Sequence, residues 1–216
     1  MKIVLEKDQN LFFTSDSHYG HSNICRGSTR WTDANSKTRD FDTVDQMNDR
    51  IVEGINASVR ENDILFHLGD WSFGGFENIE KFRNRINCKN VHIVLGNHDH
   101  HIKRNKEDIQ SLFSSVNEYV YLVVKYNQGT KFHGKDTFAL MHYPITSWNN
   151  MNDGVIHLHG HVHFSKEMRI GRGKTMDVGV DGNGMDPLSI KQVRELMYQQ
   201  PIRSGFDIDH HIKETK

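Results

Sequence analysis

The stretch Val91–Asp99, VHIVLGNHD, limits what this chain can fold into more than any other. Val91, Ile93 and Val94 form a β-branched apolar run that reads as a buried strand. Gly96 lets the backbone turn sharply, and the turn delivers Asn97, His98 and Asp99 in succession. An apolar strand, a glycine and clustered polar side chains describe a site at the carboxyl end of a sheet strand. Alone, the stretch would also fit an ordinary loop. Four further strand-like runs end the same way, in SDSHYGH (Ser15–His21), LGD (Leu68–Asp70), MHYP (Met141–Pro144) and HGHVH (His159–His163).

The remaining elements follow in chain order. Lys2–Leu5 and Leu11–Thr14 are short apolar runs joined by Lys7–Asn10 as a hairpin, and a polar surface loop is expected from Gly27 to Asp40. Val44, Met47, Ile51, Val52 and Ile55 have amphipathic helical spacing within Thr43–Asn56, with Met47 as core filling. Asp63–Leu68 reads as a strand and Asn78–Arg85 as a short helix. Val116–Lys125 and Lys135–Met141 read as strands about an Asn127-Gln128-Gly129 turn. Val155–His159 and Met176–Val180 are further strands, and Ser189–Tyr198 is a closing helix. Strands alternate with helices and then dominate, which predicts an α/β layered fold. A single domain over residues 1–200 and a polar tail over 201–216 are expected from the 216-residue length.

Composition narrows the function. A formal net charge of -1 argues against general affinity for nucleic acid or an anionic membrane. Cys25 and Cys88 make no zinc-site spacing and are expected as free thiols. No signal or spanning segment is visible at the N-terminus, so a cytoplasmic protein is expected. Fifteen histidines against six tyrosines is the unusual feature, and several stand at strand ends beside Asp and Asn. Asp16 and His18 are two apart in extended backbone and can converge on one ion. The strand ends together offer Asp16, His18, Asp70, Asn97, His98, His142, His161 and His163, a set without thiolate that suits Mn, Fe, Zn or Ni. That is too many ligands for one ion. Two ions sharing a carboxylate would use them, and such pairs drive in-line displacement at phosphorus.

In order and spacing, DSH, GD, GNHD, a lone His and GHVH resemble the five-block signature of the calcineurin-like metallophosphoesterases. SDSHYGHSNI, HLHGHVH and the downstream VGVD (Val178–Asp181) resemble a compact subgroup of that family found in bacteria and phages. The resemblance implies an α/β fold, a four-layer β-sandwich of two mixed sheets flanked by helices. It also implies two divalent ions, with manganese expected first. Carried over block by block, Asp16 and His18 would bind the first ion, joined by His163. Asp70 would bridge both. Asn97, His142 and His161 would bind the second, and His98 would be a catalytic histidine off the metals. Spacing alone leaves the last block open, because His157, His159, His161 and His163 recur at two-residue intervals; only the family pattern selects the last pair.

The family's phosphoprotein-directed members continue GD with Asp-Arg-Gly, whereas this chain reads GDWSFGG. The expected substrate is therefore a small or nucleotide-type phosphodiester or phosphomonoester, attacked by metal-bound hydroxide, with nucleic acid only as a substrate and no membrane partner. His21 and Arg26 are candidate substrate contacts and Trp148 a pocket candidate. Asp99 is expected to orient its neighbours rather than bind metal. His100, His101, Lys103 and Arg104 form a small basic cluster. The competing reading from another class is a catalytically silent scaffold of the same fold that binds protein.

Overall fold

In the computed structural model, which describes residues 1–25, 38–105, 108–127 and 134–203, the apolar runs sort into two mixed sheets. One holds, in spatial order, β1 (Lys2–Leu5), β6 (Tyr119–Tyr126), β7 (Lys135–Met141), β8 (Ile156–His159) and β9 (Thr175–Asp177). The other runs β10 (Leu188–Ser189), β2 (Leu11–Thr14), β3 (Ile64–His67), β4 (Asn90–Val94) and β5 (Ser115–Asn117). Strands β2 to β5 are parallel, and parallel neighbours need crossover connections. These are supplied by α1 (Val44–Ser58), α2 (Phe76–Arg85) and α3 (His100–Arg104). The architecture is thus α/β, two mixed sheets flanked by helices.

The core is built on the two-residue period of the strands. Leu11 and Phe13 of β2 turn into the space between the sheets and meet Phe66, Phe138 and Leu158, while Phe12 turns the opposite way with Leu65. That outer cluster is filled by Met47, Ile51 and Ile55 of α1 and by Ile79 and Phe82 of α2. The inter-sheet cluster is completed by Ile190, Val193 and Met197 of α4 (Ile190–Tyr198). Each such burial contributes about 1.5–3 kcal/mol relative to exposure. Reciprocal capping boxes, Thr43 with Gln46 and Ser189 with Gln192, start α1 and α4.

Three expectations are corrected. Lys2–Leu5 and Leu11–Thr14 keep their bounds but form no hairpin, because β1 pairs with β6 and β2 with β3, in different sheets. All of β2 is buried, which demands a central place, whereas β1 exposes Lys2 and Val4 and lies at an edge. Val116–Lys125 is likewise not one strand. Val116 packs on the outer cluster while Val120, Leu122 and Val124 enter the inter-sheet one, so the run divides at Glu118 into β5 and β6. Third, Gly27–Asp40 is not a surface loop throughout, since Arg39 is fully buried. Arg26, most of that loop, Gln128 and Gly129, and His210 and His211 lie outside the described residues. Among the described residues no helix is long and apolar enough to cross a membrane.

Candidate metal centre

The carboxyl ends of β2, β3, β4, β7 and β8 meet at one edge of the sandwich and carry every expected ligand. Ser15 after β2 bridges Gly179 after β9, which ties the two sheets together there. Asp16 N–H donates to Gly69 O, His18 N–H to Asp70 O and Gly160 N–H to His142 O, each at 2.9 Å. The loops are packed so closely that a Cβ on Gly160 would collide with Ser15 Oγ and Asp16 Oδ2, and one on Gly96 with Asp70 Oδ1. Backbone strain concentrates here too. Seven described non-glycine residues have positive φ, and five of them are expected ligands: Asp16 (58°), His18 (47°), Asp70 (55°), His161 (73°) and His163 (50°). Such conformations cost about 1–3 kcal/mol each and persist where function requires them.

The side chains form two groups joined by one carboxylate. In the first, His18 Nε2 is 3.2 Å from His163 Nε2, which is 3.6 Å from Asp16 Oδ1. In the second, Asn97 Oδ1 lies 3.0 Å from His142 Nε2 and 2.9 Å from His161 Nδ1. Asp70 Oδ2 stands 3.5 Å from both His18 Nε2 and His142 Nε2. Ligand atoms held about 2.0–2.2 Å from a common ion are themselves about 3–3.5 Å apart. The spacings and the mixed imidazole, carboxylate and amide set therefore fit two divalent ions sharing Asp70. Ring-nitrogen and carboxylate atoms of His18, Asp70 and His98 also gather within 4.8 Å of one another.

Partners outside the two groups aim the ligands. His163 Nδ1 donates to Asp181 Oδ2 at 2.8 Å and His142 Nδ1 to Leu68 O at 2.8 Å, so Nε2 of each is the nitrogen left facing the centre. Asp70 Oδ1 accepts from His98 N–H at 2.9 Å, leaving Oδ2 turned between the groups. Asp99 accepts from the N–H groups of Asp70, Gly96 and Trp71 and so ties the two turns together.

Electrostatics agree with a cation-seeking pocket. Burial pushes the Asp16 carboxyl up. Burial works the same way on Asp70, but the His142 hydrogen bond and charge outweigh it and hold Asp70 well below the usual carboxylate range. His142 is depressed by burial yet ends at about 9, because the Asp70 hydrogen bond and the Asp16 and Asp70 charges dominate. The buried carboxylates thus draw positive charge onto His142 and His163, while burial holds His18 and His161 down as neutral donors.

No family model matches the chain. The Gene 66 protein of Mycobacterium phage D29 is 27% identical over 206 residues, spanning 87% of this chain and 96% of that protein. An uncharacterized protein of Methanocaldococcus jannaschii is 26% identical over 194 residues, 88% of this chain and 92% of its own length. Among solved structures, a protein of unknown function from Aquifex aeolicus superposes with a TM-score of 0.60 at 22% identity, over 88% of this chain and all of that one. What the chain shares with that structure is a fold. The names of these proteins state no activity, so function must be argued from the side chains.

The other candidates fall into place around the centre. The half-buried His98 sets its ring 5.3 Å from that of His18, and His21 lies 5.5 Å from His18 on the same side. His21 stacks on Phe73 at 4.1 Å with planes 11° apart, and Phe73 is 41% exposed. Trp148 is half-buried, with its Nε1 donating to Val155 O at 2.8 Å and its ring 5.1 Å from that of His157. His67 and His157 are buried beneath the site, bonded to Ser17 Oγ and to Ala139 O, and His159 Nδ1 is bonded to Gly160 O. In the basic cluster, Lys103 pairs with Glu118. Sequence reasoning missed Arg39, Phe73 and the role of Asp181. Asp181 had a signal in the VGVD block, whereas Arg39 and Phe73 are single residues in polar loops with no periodic pattern around them.

Proposed function

We propose that this chain is a dinuclear-metal-dependent phosphoesterase of the calcineurin-like type, hydrolysing a small or nucleotide-type phosphate ester. The observation that carries the reading is Asp70 Oδ2, equidistant at 3.5 Å from one histidine of each ligand group. Two bound divalent ions, manganese first, would supply a nucleophile at neutral pH and neutralise charge developing on the phosphate. Asp16, His18 and His163 would hold one ion, Asn97, His142 and His161 the other, and Asp70 would serve both. His98 is anchored by its own N–H on Asp70, and its half-buried ring stands among His18, His21 and Phe73, where it can give a proton to the departing oxygen. The exposed Phe73 ring, backed by His21, offers a stacking surface for the base of a nucleotide-type substrate. The buried free thiols Cys25 and Cys88 suit the reducing cytoplasm.

The test is a panel assay with manganese on bis-p-nitrophenyl phosphate, a phosphomonoester, 2′,3′- and 3′,5′-cyclic nucleotides and single-stranded oligonucleotides. Metal-dependent turnover of at least one small ester is expected. A chain that binds two ions and cleaves none of them overturns the reading and leaves the protein-binding scaffold.

A further inference from the structure

Arg39 is a charged side chain with no exposure to solvent, and each of its five N–H donors has an acceptor. Nε and Nη2 fork onto Asp181 at 2.9 Å each. Nη2 also donates to Asp16 O at 2.6 Å, and Nη1 to Ser17 O at 3.2 Å and Met47 Sδ at 3.5 Å. Asp181 is as fully used. Its Oδ1 accepts from Arg39 Nε and from Thr38 Oγ1 at 2.8 Å, and its Oδ2 from Arg39 Nη2 and His163 Nδ1. The guanidinium thus grips the two carbonyls between the positive-φ residues Asp16 and His18, while its partner carboxylate fixes the ring of His163. All three ligands of one group are set by this pair; the other group reaches it only indirectly, through His161 N–H, which donates to the Asp16 carboxylate at 3.0 Å. The second group has no counterpart among the described residues, where His142 leans on a backbone carbonyl and Asn97 and His161 are exposed.

We infer that Arg39 and Asp181 are positioning residues that preassemble the Asp16–His18–His163 half of the centre, so that the two ions bind with unequal affinity and the pair governs only one of them. The inference rests on the dinuclear reading above. A buried pair could instead serve the fold alone, so the test must separate the two roles. Removing one partner would strand a buried charge; replacing both with apolar residues of similar volume does not. The double variant Arg39→Met/Asp181→Leu is therefore compared with the wild type by circular dichroism and thermal melting, by calorimetric manganese titration, and by electron paramagnetic resonance of the manganese-loaded protein.

The variant is expected to fold, to keep one manganese at wild-type affinity and to bind the other about 10–100-fold more weakly, the loss typical of a ligand-orienting partner. The exchange-coupled signal of the metal pair should give way to that of isolated ions at manganese levels that fill both sites of the wild type. Two ions bound with unchanged affinities would overturn the inference. Should the double variant fail to fold, manganese titration of the wild type is the measurement: two ions of unequal affinity are expected, and two of equal affinity overturn the inference. Arg39→Lys should not rescue, because an ammonium offers three donors and no planar fork. A wild-type chain that binds fewer than two ions would remove the dinuclear reading itself, and this inference with it.

Discussion

The two halves of the centre hold similar side chains in different ways. Asp16 and His18 are buried, and His163 is clamped from behind by an ion pair with no solvent contact. On the other side Asn97 and His161 are exposed, and His142 has only the Leu68 carbonyl behind it. The difference teaches a division of labour. A half whose ligands are held in advance loses little conformational freedom on binding an ion. The open half leaves Asn97 and His161 exposed, while His98, His21 and Phe73 line the lip beside His18.

Breaking what the halves share should have the largest effect. Asp70→Asn removes the one carboxylate oxygen that faces both groups, so metal analysis should show both ions weakened. The rate should fall by about 10⁴-fold, the equivalent of the several kcal/mol of charge stabilisation that an ion pair supplies. A variant that keeps two tightly bound ions would show that Asp70 is not the bridge.

Next in size is His98→Ala, which sharpens the contrast between ligand and proton donor. Loss of a positioned general acid lowers kcat by about 10²–10⁴-fold. Metal content and melting temperature should hold, KM should change less than kcat, and an ester with a good leaving group should be spared most of the loss. Because His98 stands close to His18 and Asp70, metal analysis is the deciding measurement: if the variant loses an ion, His98 is a ligand.

Much of this was legible before any coordinates. The GNHD, DSH, GD and GHVH turns follow apolar strands, and a strand end followed by polar residues marks a site whatever the sheet order. The architecture of two mixed sheets was likewise expected. Pairing was not, because β1 and β2 read alike as four-residue apolar runs, and what separates them is burial on one face or on both. Arg39 was invisible for a related reason. Nothing local marks an arginine in a polar loop as buried; its acceptors come from β2's carboxyl end, from α1 and from Asp181, far apart along the chain.

The two halves should differ less in the layer beneath them. His67 lies under the first, bonded to Ser17 Oγ, and His157 stands within β8, bonded to Ala139 O of β7, the strand that leads to His142. Burial pulls them down to about 3 and about 4, while an unfolded histidine titrates near 6.5. Between about pH 6.5 and pH 4 the unfolded chain binds protons that these folded histidines refuse, so their contribution to stability falls as pH falls. Each accounts for up to about 1 kcal/mol per pH unit in that window. Urea unfolding at pH 7 and pH 5 should therefore show a smaller acid loss in His157→Gln than in the wild type, and an equal loss would mean that His157 is protonated in the folded state.

The smallest effect tests what approaches the lip beside His18. Phe73 is 41% exposed and backed by the His21 ring at 4.1 Å, with His98 on its flank at 5.7 Å. A base stacked on an aromatic side chain is worth about 1–3 kcal/mol, and a ring this exposed should deliver the lower end, about fivefold in KM. Phe73→Leu keeps an apolar residue there but removes the π-face. It should raise KM for a cyclic nucleotide by about that factor, while leaving kcat and the turnover of a simple alkyl phosphate ester unchanged. Equal losses on both substrates would mean that Phe73 supports His98 and His21 rather than the base. No change on either would move the substrate to the opposite lip, beside Tyr143 and His161, whose rings meet at 4.8 Å on the more open half of the centre.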